Sequence, residues 1–157
     1  MKKLILMAVA ATALCACGGS DAPFSYRGLA FTMPVAQFVD SMTARGFAID
    51  SAASDSGRLV VLANPSEHYS VLVAFEGDQL QAIQEHYHVS TNDSTRRLWQ
   101  QIHDDLEKEL GEWPDCPMLK DDHKIANFDT GSGFVSVILE NTHRPDLKVQ
   151  YSLKKSK

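Results

Sequence analysis

Three histidines are the residues of this chain whose types and spacing could hold a metal ion. His86 and His88 stand two residues apart in an alternating segment, so on a strand their side chains point to the same face. His68 lies on the turn that enters a neighbouring strand. Zinc needs three or four ligands in a closed set. His68, His86 and His88 are therefore candidate metal ligands, on a face whose alternative interpretation is a solvated polar surface.

Residue types suited to nucleophilic catalysis are present, but they do not form a recognised arrangement. Cys116 lies between two prolines, and His123 is close enough in sequence to act as its base. The sequence contains neither a Gly-x-Ser-x-Gly elbow nor a phosphate-binding loop. Asp104 and Asp105 are adjacent on a predicted helix, so their carboxylates diverge. We therefore expect no catalytic residues, no cofactor and no enzyme activity.

The first residues of the chain carry its most specific motif. Two lysines precede an apolar run that ends at Leu14, and this run is shorter than the ~20 residues that a bilayer span requires. The segment Leu14-Cys15-Ala16-Cys17 resembles the lipobox of bacterial lipoproteins, in which Leu stands three residues before a Cys and a small residue directly before it. This resemblance implies cleavage after Ala16 and a diacylglycerol thioether on Cys17, with further acylation by a chain such as palmitate.

The lipobox resemblance also implies a location. Residues 1–16 would be a signal peptide, and residues 17–23 the lipidated cysteine with a Gly- and Ser-containing tether. Several acyl chains hold a protein stably on a membrane, which is the usual state of mature bacterial lipoproteins. Gly18 follows the cysteine where the inner-membrane retention signal of enterobacteria has Asp. We therefore expect a lipid-anchored protein of the cell envelope or periplasm, on the outer rather than the inner membrane, and the sequence leaves open which side of that membrane it faces.

Composition places the rest of the chain among ordinary globular domains. Of its 157 residues, 44% are hydrophobic and 22% charged, which suits one domain with its own core. Without the signal peptide, 20 acidic residues face 13 basic ones, a net charge of −7. This charge disfavours binding to nucleic acid or to an anionic membrane surface. Because Cys116 would be the one free thiol after processing, we expect no internal disulfide.

Hydrophobic periodicity divides residues 24–157 into the elements of one α+β domain. Apolar stripes at helical spacing predict helices over residues 34–45 and 94–110, each followed by a glycine. Residues 112–124 contain two prolines and predict a loop with Trp113 packed against the fold. Alternating or β-branched segments predict strands at 24–31 (or an extended segment), from 47, and at 58–63, 69–75, 80–89, 124–129, 134–140 and 147–153.

The two halves of the domain, residues 34–89 and 94–153, share an element order. Gly46 to Tyr69 and Gly111 to Phe134 each span 23 positions, from a helix end to an alternating strand. A tandem αβββ repeat would give an antiparallel sheet with two helices packed on one face. This order resembles β-lactamase-inhibitor-protein-like domains and outer-membrane-assembly lipoproteins of the SmpA/OmlA type, which bind proteins and catalyse nothing. The resemblance includes no shared motif, so it assigns no residue roles.

These observations lead to two functional hypotheses. The first is a non-enzymatic, membrane-anchored envelope lipoprotein that binds a protein partner or assists envelope assembly. Its docking surface would be the sheet face away from the helices, which is predicted to carry Ser70, Leu72, Ala74, Gln84, His86 and His88. The alternative is a lipoprotein that binds a small ligand or a metal through the His86/His88 face.

Overall fold

The computed structural model describes residues 23–55 and 57–154, and this part of the chain forms two helices and ten strands. Helix α1 spans Val35–Ala44, and helix α2 spans Asn92–Leu110. Neither helix has the length and apolar character needed to cross a bilayer. The predicted cleavage and lipidation positions, Ala16 and Cys17, lie outside the described residues.

The strands form one small hairpin and one large sheet. Strands β1 (Ser25–Tyr26) and β2 (Leu29–Ala30) pair with each other. The large sheet is antiparallel throughout, with the order β3-β4-β5-β6-β10-β9-β8-β7. Its strands are β3 (Ala48–Ile49), β4 (Leu59–Ala63), β5 (Tyr69–Glu76), β6 (Gln79–Tyr87), β7 (Asp115–Lys120), β8 (His123–Asp129), β9 (Gly133–Glu140) and β10 (Leu147–Leu153). The last strands of the two halves, β6 and β10, therefore meet at the centre.

Both helices are followed by the glycine that the sequence predicts, Gly46 after α1 and Gly111 after α2. Helix α2 begins slightly before the predicted position, because the Thr91 side chain accepts a hydrogen bond from the Ser94 amide at 3.1 Å and caps the first turn. It ends at Gly111, whose φ of 67° is readily reached without a Cβ. Helix α1 buries Val35, Phe38 and Met42, which is the apolar stripe expected from the sequence.

Strand alternation divides the large sheet into two unlike faces. Val71, Val137 and Val149 are fully buried, and strand register places them in one row across the sheet. This inward face belongs to one hydrophobic cluster that also contains Phe38 of α1 and Trp99 of α2. The Trp99 indole nitrogen donates to the Val137 carbonyl at 3.3 Å. The core therefore combines side chains of both helices and of the sheet with residues of the N-terminal segment, such as Tyr26 and Phe31.

The region between α2 and β8 differs from its prediction. The loop expected over residues 112–124 contains strand β7, so each helix is followed by four strands and not three. Strand β7 lies at one edge of the sheet. Its pairing register with β8 shifts between Asp115 and Met118, the stretch that contains Pro117. Edges and bulges tolerate proline because no inward ladder hydrogen bond is lost there. Trp113, expected to be packed, is 87% exposed.

Candidate functional site

The most polar group in the core is the Glu85 carboxylate on the inward face of β6. Glu85 is only 1% exposed. The Tyr26 hydroxyl and the Arg27 Nε each donate to its Oε1 at 2.8 Å, and the Tyr87 hydroxyl donates to its Oε2 at 2.7 Å. The Arg27 Nη2 lies 2.7 Å from Oε1. A buried carboxylate is costly without such partners, so these donors are what allows Glu85 to sit in the core.

All four tyrosines of the chain surround this carboxylate. Tyr26 contacts Tyr151 edge to face at 5.0 Å between ring centroids, and Tyr69 lies 5.2 Å from Tyr87. Burial, together with the negative charge of Glu85, raises the pKa of Tyr26, Tyr87 and Tyr151. Burial also raises the pKa of Tyr69. The four side chains therefore remain neutral, and two of them, Tyr26 and Tyr87, donate to the buried anion.

Arg27 reaches this cluster from a strained turn. Arg27 and Gly28 connect β1 to β2, with φ values of 47° and 80°. A two-residue hairpin of this kind favours Asn-Gly, because a positive φ is unfavourable for most side chains. The Arg27 guanidinium carbon also lies 5.1 Å from the Tyr69 ring centroid. Strained residues cluster at functional sites, and here the strained position carries the cation that pairs with Glu85.

A cavity of about 600 Å³ opens beside the Glu85 cluster. Its walls are the β1–β2 hairpin, one side of α2 and the inward face of the sheet near β6 and β10. Polar groups from three elements line it: Arg27 from the hairpin, Glu85 and Tyr151 from the sheet, and Asp105 and Glu109 from α2. Such a volume, with mixed apolar and polar walls, is typical of small-ligand sites. This cavity is therefore a candidate small-ligand site within the described chain.

Of the three predicted histidines, His86 and His88 have their rings on the opposite, outward face of the sheet, whereas His68 lies in the turn before β5. The rings of His86 and His88 are 6.2 Å apart between centroids. The His86 Nε2 lies 3.1 Å from Asp146 Oδ1, and the His88 Nε2 lies 2.9 Å from the Ser70 hydroxyl. The His68 carbonyl accepts the His88 backbone amide at 2.7 Å. The two rings share a face, as predicted, but each already bonds to a different neighbour.

Among the described residues, the one group of three potential metal ligands lies elsewhere. It comprises His103, Asp104 and Glu107 of α2, whose ligand atoms fall within 4.8 Å of one another. His103 Nδ1 bonds Asp104 Oδ1 at 3.1 Å, and this contact holds the pKa of Asp104 below its usual value. The His103 ring stacks on Trp99 at 5.0 Å. These contacts give His103 a packing role on the helix.

Cys116 lies on edge strand β7 and is partly buried against the core. Burial, followed by the nearby negative charges of Asp115 and Glu107, raises the pKa of its thiol. A raised pKa lowers the thiolate fraction, and the thiolate is the reactive form of cysteine. Its environment therefore favours an unreactive thiol. The Ser70–His88 pair likewise has, within the described hydrogen bonds, no third group that orients the histidine as a base.

The Glu85 cluster was not identified from the sequence, although one signal was present. Ile83, Glu85, Tyr87 and Val89 alternate on one side of a predicted strand, so a carboxylate occupies a position of the apolar face. Tyr26 and Arg27 are 59 and 58 positions away in the chain. No local pattern links such distant residues. The misplaced carboxylate could have been recognised, but its partners could not.

Comparisons with known proteins add one structural likeness. Neither a protein-family model nor a curated protein sequence matches the chain. The crystal structure of a DUF4309 family protein, YjgB of Bacillus subtilis, is similar at 14% sequence identity and a TM-score of 0.45. The likeness covers 73% of this chain and 77% of that protein.

Proposed function

We propose that this chain is a non-enzymatic lipoprotein of the bacterial cell envelope that holds a protein partner on the outward face of its sheet. The lipobox-like segment ending at Cys17 supports the membrane anchor, on the outer rather than the inner membrane. The open sheet face supports the docking function, and it is the observation that carries the proposal. The lipid holds the domain at the membrane, while the sheet remains available to a partner.

The docking proposal requires both helices to cover the same sheet face. Phe38 of α1, Trp99 of α2 and the inward residues of the sheet all belong to one buried cluster. The Trp99 hydrogen bond to the backbone of β9 ties α2 directly to that layer. From these contacts we infer a two-layer domain, with both helices on the inward side. The outward side is then left to solvent or to a partner.

The outward face has the mixed character of a non-obligate protein interface. Its central positions are polar, and apolar side chains flank them on both wings of the sheet. Most of these side chains are partly exposed. The central set is Gln84, His86, Lys148, Gln150 and Ser136, and the apolar flanks are Leu59, Leu72, Ala74, Ile125 and Ile138. Transient interfaces are about as polar as the rest of a protein surface, so this composition suits a partner that can be released.

We also infer that the domain is a duplicated unit, now of one helix and four strands. Each helix precedes four strands, and the strand order mirrors itself about the β6–β10 pair. Gly46 and Gly111, which follow the two helices, both have positive φ values. A duplication explains why the sheet is wide: each half contributes four strands, and the joined halves present one continuous outward face.

The proposal is tested by site-specific photo-crosslinking in the producing cells. A crosslinking amino acid replaces Gln84 at the centre of the outward face or, as matched control, the exposed Gln101 on α2. We expect a discrete adduct with one protein from position 84 and none from position 101. The same pair of variants is also made with Cys17→Ala, where loss of the anchor should reduce the adduct.

Two results would overturn the docking face, and a third would overturn the role of the anchor. If position 84 gives no adduct while the variant is folded and expressed like wild type, the sheet face is not a docking surface. An equal adduct from positions 84 and 101 would mean nonspecific capture. An undiminished adduct in the Cys17→Ala background would retain the docking face but contradict the role of the anchor. Thermal unfolding of each purified variant confirms that folding is intact.

A further inference from the structure

The cavity beside Glu85 has walls whose charges do not cancel. The Arg27 guanidinium is paired with Glu85, so these two charges neutralise each other. Asp105 and Glu109, both exposed to solvent, also line the cavity, one turn apart on α2. Within the described chain neither of them takes part in an ion pair or a side-chain hydrogen bond. Like charges at this helical spacing repel each other, and a cation between them would relieve that repulsion.

Aromatic rings line the same cavity as these carboxylates. Tyr87 and Tyr151 belong to its lining, together with Glu109. The charge of Glu109 contributes, after burial and Glu85, to the raised pKa of Tyr151. A cation close to an aromatic face is attracted by the ring quadrupole. The carboxylates and the aromatic rings therefore both favour a positively charged ligand.

Apolar side chains also line the cavity. They include Ile102, Leu106 and Leu110 of α2 and Val149 of β10, beside the hydroxyl residues Ser25, Thr130 and Ser132. They would contact an aliphatic chain, and the carboxylates would hold an ammonium or guanidinium group at its end. We propose that this cavity binds an organic cation with an aliphatic stem, the chemistry shared by a free diamine and a lysine side chain. This site is on the inward side of the sheet and is separate from the proposed docking face.

The test is calorimetric titration of the purified full-length chain with three probes. The first is the diamine cadaverine, the second is the neutral diol of the same chain length, and the third is a blocked tripeptide with a central lysine. We expect binding of at least one cationic probe, weakening as salt is added, and no binding of the diol. Tighter binding of cadaverine identifies a free amine as the natural source, and tighter binding of the peptide identifies a protein side chain.

Variants locate the site. Asp105→Asn combined with Glu109→Gln should weaken binding of the cationic probe about tenfold, since two carboxylate contacts are lost. The matched control, Glu112→Gln with Asp121→Asn, removes the same charge from exposed positions outside the cavity lining and should leave affinity unchanged. If both pairs of substitutions weaken binding of the cationic probe equally, the effect comes from the net charge of the protein and not from the cavity. That result, or no binding of either cationic probe to wild type, overturns the proposal.

Discussion

The inward face of β6 contains a carboxylate where the strand pattern calls for an apolar side chain. Glu85 is accommodated because two tyrosine hydroxyls and Arg27 supply four donor contacts. Each donor has a further contact: Tyr26 packs on Tyr151, and both Arg27 and Tyr87 pack on the Tyr69 ring. A buried ion pair seldom adds much stability over an apolar pair of similar volume. Its retention beside a cavity is consistent with a binding role.

At the residue scale, the four tyrosines predict how stability depends on alkaline pH. Their pKa values are raised in the folded chain, whereas in the unfolded chain each ionises near pH ~10. The stability that they contribute is fully present below about pH 10 and is lost as the pH rises further. We expect tyrosinate absorbance to appear only together with the loss of far-ultraviolet circular dichroism. Tyrosines that titrate near pH ~10 in a chain with intact circular dichroism would refute the clustered arrangement.

At the element scale, the segment that leads into the β1–β2 hairpin contacts strand β9 at Gly133. A Cβ placed on Gly133 would lie 2.7 Å from the Phe24 ring, which is buried and packs on Phe31. This close approach fixes the N-terminal segment against the first residue of β9. The segment in turn leads into the hairpin that supplies Tyr26 and Arg27. The position of the Glu85 donors therefore depends on one small residue elsewhere in the fold.

Replacing Gly133 with Ala should destabilise the domain by about 1–3 kcal/mol, because the added methyl group displaces a packed ring. Gly57→Ala is the matched control: a Cβ there meets nothing within 4 Å, and Gly57 has no positive φ. The control should change the free energy of unfolding by less than about 0.5 kcal/mol. Urea denaturation measures both variants. Equal stabilities would show that Phe24 does not pack on Gly133 as described.

The elements were predictable where one local pattern decided the outcome. Helix α2 and strands β5, β9 and β10 combine clear periodicity with turn or capping residues, and they lie where the sequence predicts them. Strand β7 was missed because prolines and charges suggest a loop. Prolines and charged residues are compatible with a strand at the edge of a sheet. That β7 lies at the edge is known only from the assembled sheet. Strand order and the Glu85 cluster depend on long-range pairing, which no local pattern encodes.

At the scale of the whole molecule, the Glu85 cluster lies on the seam between the two halves. Glu85 of β6 is the Cα partner of Val149 of β10, at the one place where the halves pair. The hairpin that follows the predicted tether covers this seam on the inward side, and Pro23 and Phe24 line the cavity there. The segment that follows the predicted tether, the cavity and the centre of the sheet are therefore neighbours in the fold.

The anchor is the part of the proposed function that one measurement can decide. Intact-mass and peptide mass spectrometry of the protein from membranes of its native host identifies its N-terminal residue and any modification there. We predict that the mature chain begins at Cys17 and carries diacylglycerol on sulfur, and that Cys17→Ala abolishes this modification and the membrane association. A mature chain that begins at another residue, or an unmodified Cys17 thiol, would contradict an envelope lipoprotein.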